Sequence, residues 1–213
     1  MNSPASILVV LDVDSTLIKQ EVIEVLASFA GKEQEVAKVT ERAMSGELDF
    51  AGSLRARVET LKGMPVSIIA KALEIIQITP GAKELIDYVH QHNGKVAAVS
   101  GGFEEILEPL AKQLSLDFYR ANQLEVLAGK LSGEVIPPII DKPAKATALK
   151  EWSDYLGLDL KSTIAIGDGA NDLDMMQVAG LSIGFGAKPR VRAKADILID
   201  SGNLTDVIAL LGF

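Results

Sequence analysis

Two aspartates one residue apart, Asp12 and Asp14, follow the apolar run Ile7-Leu8-Val9-Val10-Leu11 and precede Ser15-Thr16-Leu17. Carboxylates this close repel each other unless a cation or a proton sits between them. Further along the chain come Ser100-Gly101-Gly102, Lys145 and Gly167-Asp168-Gly169-Ala170-Asn171-Asp172. These residue types suit phosphoryl transfer, where a protein mainly positions groups and neutralises charge. Asp12 could attack phosphorus in line and become an aspartyl-phosphate. Asp14 could protonate the leaving alkoxide and later activate water, provided neighbouring carboxylates raise its pKa. Asp168 is the natural partner carboxylate for a magnesium ion, which takes oxygen ligands in an octahedron. The Ser100 hydroxyl and Gly101 N–H are donors for phosphate oxygens at a helix start, and Lys145 supplies a fixed positive charge. Taken singly, these groups pass for helix caps, turns and a solvated lysine; their combination in this order is hard to reconcile with coincidence.

Placing such groups together requires an α/β sheet. The run 7–11 is β-branched and too short for most helices, so it reads as a buried strand ending at Asp12. Residues 21–78 then show helical spacing without a convincing strand: one helix up to a stop at Gly31, one over 33–44, a turn at 45–48, one over 50–61 and one from Pro65 to Ile76. After Thr79-Pro80-Gly81 the pattern alternates. A helix over 82–92 leads to a strand over 95–100, a helix over 104–113, a short strand near Phe118-Tyr119 and a hairpin over 124–135 turning at Ala128-Gly129. A helix over 143–156, a strand over 163–166, a helix over 171–178, a strand over 181–183, a helix over 189–194, a strand over 197–199 and a helix over 203–211 follow. Alternation of this kind predicts a doubly wound parallel sheet, a Rossmann-type core. The loops after Asp12, Ser100 and Gly167 then share one edge. The hairpin returns the chain so that the helix carrying Lys145 can begin at that edge too. The expected organisation is a core of 1–18 and 79–213 with a small helical cap, 19–78, inserted after the first strand.

Composition narrows the partners. The chain has 213 residues, of which 48% are apolar, with a net charge of −8 and no cysteine. That is enough for a sizeable core, and the acidic balance argues against nucleic acid as a primary partner. A thiol nucleophile, a disulfide and a thiolate metal site are excluded. The two histidines, His90 and His92, fall near the end of a predicted helix, where a cation-capable side chain meets the negative helix terminus. No run reaches membrane-spanning length and no leader pattern opens the chain, so a soluble cytoplasmic protein, monomer or homodimer, is expected.

The set Asp-x-Asp-x-Thr, Ser100, Lys145 and Gly-Asp-x-x-Asn-Asp resembles the haloacid dehalogenase superfamily of phosphatases, and the resemblance covers nearly the whole chain. Glu21, Met44, Phe50 and Ser53-Leu54-Arg55-x-Arg57-Val58 are similar to the branch of that superfamily that acts on phosphoserine. The resemblance implies Asp12 as nucleophile, Asp14 as general acid/base, and magnesium held by Asp12, the Asp14 backbone carbonyl and Asp168. It implies phosphate contacts from Ser100, Gly101, Lys145 and Asn171, with Asp172 orienting Lys145 or a metal-bound water. Glu21 would read the ammonium of O-phospho-L-serine, Arg57 its carboxylate, and Met44 with Phe50 would form an apolar wall. The implied activity is a phosphomonoester hydrolase of serine biosynthesis. Competing expectations are transfer of the phosphoryl group to an alcohol such as homoserine, hydrolysis of another small phosphate, and a non-catalytic phospho-acceptor module of the receiver type.

Overall fold

The computed structural model describes residues 5–44 and 47–212. Its sheet has seven strands: β1 (Leu8–Leu11), β2 (Lys95–Phe103), β3 (Phe118–Leu127), β4 (Lys130–Ile136), β5 (Thr163–Gly167), β6 (Leu181–Phe185) and β7 (Ile197–Ile199). Their order is β4-β3-β2-β1-β5-β6-β7. All neighbours pair in parallel except β3 and β4, which form the antiparallel hairpin. The chain passes from β1 to β2 on one side and later to β5 on the other, so the loops after these three strands diverge around a crevice. Crevices of this kind, at the carboxyl ends of open sheets, are where such folds bind ligands.

Alternation along β1 explains the two layers. Val9 and Leu11 face one buried cluster, together with Leu85, Ile86 and Val89 of α5 (Ala82–Gln91) and Ile106, Leu107 and Leu110 of α6 (Glu104–Leu114). Leu8 and Val10 face the other, with Ala148, Leu149 and Trp152 of α7 (Lys142–Leu156) and Met175 and Met176 of α8 (Leu173–Val178). A strand buried on both faces carries an unbroken apolar run, as this one does.

Among the described residues, four α-helices lie between β1 and α5: α1 (Val22–Ala30), α2 (Glu33–Met44), α3 (Phe50–Glu59) and α4 (Ser67–Ile75). Gly31 ends α1 in the left-handed conformation, φ 66°, with its N–H on the carbonyls of Ala27 and Ser28. Asp49 caps α3 by accepting the Gly52 N–H at 2.7 Å. The chain enters and leaves this unit side by side: Ile18 and Ile78 form an antiparallel bridge, flanked by Lys19 N–H on Gln77 O and Thr79 N–H on Leu17 O, each 2.9 Å. The α3–α4 connection is also tied to the hairpin, through Gly63 N–H on Leu131 O and Leu131 N–H on Met64 O, both 2.8 Å. Among the described residues no helix is long and apolar enough to cross a membrane.

Several expectations are corrected. β2 does not end at Ser100 but continues to Phe103, with a register shift against β3 between Val99 and Phe103. The buried Asn122 side chain explains this continuation: it donates to the Gly101 carbonyl at 2.9 Å and accepts the Ile140 N–H at 2.7 Å. The short strand near 118 and the first arm of the hairpin are one ten-residue strand, β3. The expected helix over 171–178 splits into a tight turn, 170–172, and α8. Residues 204–210 wind as a tight three-residue-per-turn helix rather than an α-helix. The helix over 189–194 shortens to α9 (Pro189–Arg192). The turn expected at 45–48 begins outside the described residues.

Candidate active site

Asp12 is the first residue after β1, and its N–H donates to Ile166 O of β5 at 2.8 Å, which fixes it between the two central strands. Residues 13–17 then wind through a single turn in which Ser15 takes a left-handed φ of 59°. That turn lets Asp12 and Asp14 face the same crevice. The Ser15 hydroxyl donates to Glu21 Oε1 at 2.9 Å, and the Val22 N–H donates to Asp14 Oδ2 at 3.3 Å. The opening of α1 is thereby folded back onto the aspartate pair.

Lys145 is almost fully buried behind Asp12, with its ammonium 2.5 Å from Asp12 Oδ1 and 2.7 Å from Asp172 Oδ1. It reaches them from the first turn of α7, which begins at the carboxyl edge of the sheet because the hairpin has brought the chain back. Asp172 is engaged on both oxygens, since Oδ2 accepts the Gly169 N–H at 3.0 Å. Gly167 leaves room for it: a Cβ there would lie 2.5 Å from Asp172 Oδ2. Ser100 is buried, and its hydroxyl accepts the Gly102 N–H at 2.8 Å. These residues lie inside the extended end of β2, and α6 starts only at Glu104, so the expected helix-start geometry is replaced by an irregular strand end.

Electrostatics follow from burial. Burial and then the Glu21 carboxylate push Asp14 up to about 7, against the Val22 N–H. The neighbouring carboxylate invoked from sequence contributes, but desolvation is the larger cause. Burial and Asp172 likewise raise Asp12, while Lys145 pulls it back. Lys145 would be lowered by burial, but Asp12 and Asp172 outweigh this and hold it charged, above the ordinary lysine range. Asp168 is raised by burial against the opposing pull of Lys188. Burial lowers Arg57, partly offset by Glu21 and Asp14; a guanidinium so placed stays charged.

Most of the expected residues meet in one cavity of about 210 Å³, lined by Asp12, Asp14, Glu21, Phe50, Arg57, Ser100, Gly101, Asp168 and Asn171. Phe50 of α3 lies over Gly101 so closely that a Cβ on the glycine would fall 2.8 Å from the ring. Lys145 and Asp172 stand behind the wall rather than on it. The side chain of Met44 lies outside the described residues. Sequence reasoning missed Lys188, which lines the cavity from the loop after β6, and Asn122, which braces the end of β2. The first was findable, because the carboxyl end of β6 belongs to the same edge as the other three loops. The second was signalled by an amide, Asn122, at an inward position of an otherwise strand-like run.

The donor set fits a hard divalent cation. Asp12, Asp168 and Asp172 each bring a carboxylate oxygen within 4.8 Å of the others, and Asp14 Oδ1 is buried without a hydrogen-bond partner. All-oxygen ligation is what magnesium prefers.

A family model described as haloacid dehalogenase-like hydrolase matches residues 9–177. A phosphoserine phosphatase of Streptococcus thermophilus is 50% identical over 204 residues, covering 96% of this chain and 95% of that protein. The phosphoserine phosphatase SerB2 of Mycobacterium tuberculosis is 48% identical over 205 residues, and there the chain spans only 50% of the relative's length. A solved structure described as a substrate-bound phosphoserine phosphatase complex superposes with a TM-score of 0.92 at 40% identity, over 98% of this chain and 100% of that one. With the aspartate pair, the buried lysine and the Gly-Asp-x-x-Asn-Asp turn meeting at one sheet edge, sequence and geometry agree: the chain belongs to the haloacid dehalogenase-like hydrolases.

Proposed function

We propose that this chain hydrolyses O-phospho-L-serine to L-serine and phosphate through an aspartyl-phosphate on Asp12, with magnesium as cofactor. One observation carries the reading: a single small cavity joins the phosphoryl-transfer groups Asp12 and Asp14 to an acidic and a basic side chain, Glu21 and Arg57, that match an amino acid's ammonium and carboxylate. A bidentate guanidinium–carboxylate pair gives geometry as well as energy.

In the first half-reaction an Asp12 carboxylate oxygen attacks phosphorus, and the bond from phosphorus to the serine oxygen breaks. Asp14 gives its proton to that oxygen as it leaves; a carboxyl raised to about 7 keeps a proton for the task near neutrality. In the second half-reaction water attacks the phosphorus and passes its proton to Asp14, and the bond to Asp12 breaks. Lys145 keeps Asp12 oriented and offsets the charge it carries. Ser100, Gly101 and Asn171 are assigned to the phosphate oxygens. Magnesium would be held by Asp12, Asp168 and the Asp14 carbonyl, and would supply positive charge against the phosphate. Asp172, engaged on both oxygens, is a brace for Lys145. The helices of 19–78 act as a cap, with Phe50 shielding the intermediate from bulk water.

The test is phosphate release from L-phosphoserine, D-phosphoserine, phosphothreonine and phosphoethanolamine, with homoserine added in a parallel series. L-phosphoserine is expected to lead the panel, and free phosphate to be the product even with homoserine present. Asp12→Asn is expected to lower turnover by roughly 10⁴-fold or more while leaving the thermal transition in place. A chain that takes up phosphate without turnover would instead be an acceptor module.

A further inference from the structure

Lys188 has no part in the chemistry above, yet it sits in the cavity. The loop after β6 carries it there, and its backbone N–H donates to the Asp168 carbonyl at 2.8 Å. Pro189 and the buried Val191 of α9 fix the chain immediately after it. Its ammonium lies 2.8 Å from Asp168 Oδ2 and 3.7 Å from Glu21 Oε1. Asp168 is thus grasped by both backbone and side chain of one residue, and only one of its two oxygens is taken.

The charge around the cavity is unbalanced without it. Asp12, Asp14, Glu21, Asp168 and Asp172 are five carboxylates, and Lys145 and Arg57 are the only other cations among the groups described at the site. Such a site attracts a divalent cation strongly and repels a phosphate dianion. A third cation on Asp168 Oδ2 weakens both tendencies, lowering the affinity for a cation and raising that for an anion, because a single positive charge a few ångströms away acts on the two with opposite sign.

We propose that Lys188 is a positioning residue that sets the balance between magnesium and phosphate at this site, by orienting Asp168 through one oxygen and lowering the negative field of the acidic cluster. This rests on the phosphomonoesterase reading. It makes a prediction that simple bracing would not. A residue that only keeps the site in shape would, on removal, weaken both ligands. Removing the counter-charge tightens one and loosens the other.

The experiment compares the full chain with Lys188→Met and Lys188→Arg. Magnesium affinity is read by calorimetry, and inorganic phosphate affinity at saturating magnesium by phosphorus NMR titration, neither of which needs turnover. In Lys188→Met, magnesium is expected to bind about fivefold more tightly and phosphate about fivefold more weakly, with both returning to within about twofold of the parent in Lys188→Arg. Both affinities falling together, either one staying within about twofold of the parent, or no rescue by arginine would overturn the proposal. A chain that shows the opposed shifts but leaves phosphoserine intact would overturn the substrate assignment and keep the role of Lys188.

Discussion

Arg57 is the side chain on which the proposed choice of substrate turns. It projects from α3 into a cavity whose other end holds Asp12 and Asp14, and its own Nε donates to the Ser53 carbonyl at 3.3 Å, which steadies the fork. Losing a charged hydrogen-bonding partner for the substrate carboxylate removes about 1.5–3 kcal/mol of binding, roughly 10- to 150-fold. Arg57→Ala is therefore expected to lower kcat/KM by that factor on phosphoserine, and only slightly on phosphoethanolamine, which has no carboxylate. Equal losses on the two substrates would show that Arg57 acts on the fold instead. At this scale the sequence was highly legible, since acidic pairs, a glycine-bracketed aspartate and a lone lysine have few other uses together. What stayed hidden was the environment. That Asp14 is raised mainly by burial, and that Lys145 stands behind Asp12 rather than beside the cavity, depends on how deep each residue lies, and spacing along the chain does not encode depth.

Polar contacts between elements also lock the sheet at the amino end of β2, away from the site. Asp117, just before β3, accepts the Val96 N–H at 2.9 Å, Lys95 Nζ at 2.7 Å and a contact from His90 Nε2 at 2.8 Å, joining α5, β2 and β3. His90 thus faces a carboxylate, while His92 meets the Tyr88 carbonyl at the end of α5, as helix-end reasoning expects. Burial works to raise the Asp117 carboxyl, but the Lys95, Val96 and His90 partners prevail and hold it below the ordinary value. A depressed carboxyl contributes stability that is complete above its unfolded pKa, near 4, and is lost as pH falls through the folded value. Asp117→Asn is accordingly expected to cost about 1–3 kcal/mol at pH 7, with the gap between variant and parent narrowing steadily as pH falls below about 4, as read by urea unfolding across that range. Most strand and helix positions were readable from apolar period together with glycine and proline breaks. The extension of β2 to Phe103 was not, because it depends on an amide from β3 reaching across to two glycine carbonyls, a contact between elements that no local pattern announces.

For the whole molecule, the buried acidic groups leave an excess of negative charge that a bound cation would offset. Asp12, Asp168 and Asp172 are each less than 5% exposed and share one small volume. A ligand that binds only the folded state raises stability by about 2.7 kcal/mol at a hundred times its dissociation constant, or roughly 5–10 °C for a chain of this size. Magnesium is expected to raise the melting temperature by that amount over an EDTA-treated sample, and Asp168→Asn to abolish most of the rise, both by scanning fluorimetry.

Backbone ties between the unit formed by α1–α4 and the rest include the Ile18–Ile78 bridge and the hairpin's Leu131, which accepts the Gly63 N–H and donates to Met64 O, beside the contacts of Glu21 and Val22 with Ser15 and Asp14. Near the meeting of α2 and α3, Thr40, Leu48 and Phe50 face Lys142 and Arg190 across a second recess that shares Phe50, Arg57 and Asn171 with the cavity of Asp12 and Asp14. A phosphate approaching through this recess would meet two basic side chains, of which Lys142 is paired with Asp174 at 2.6 Å.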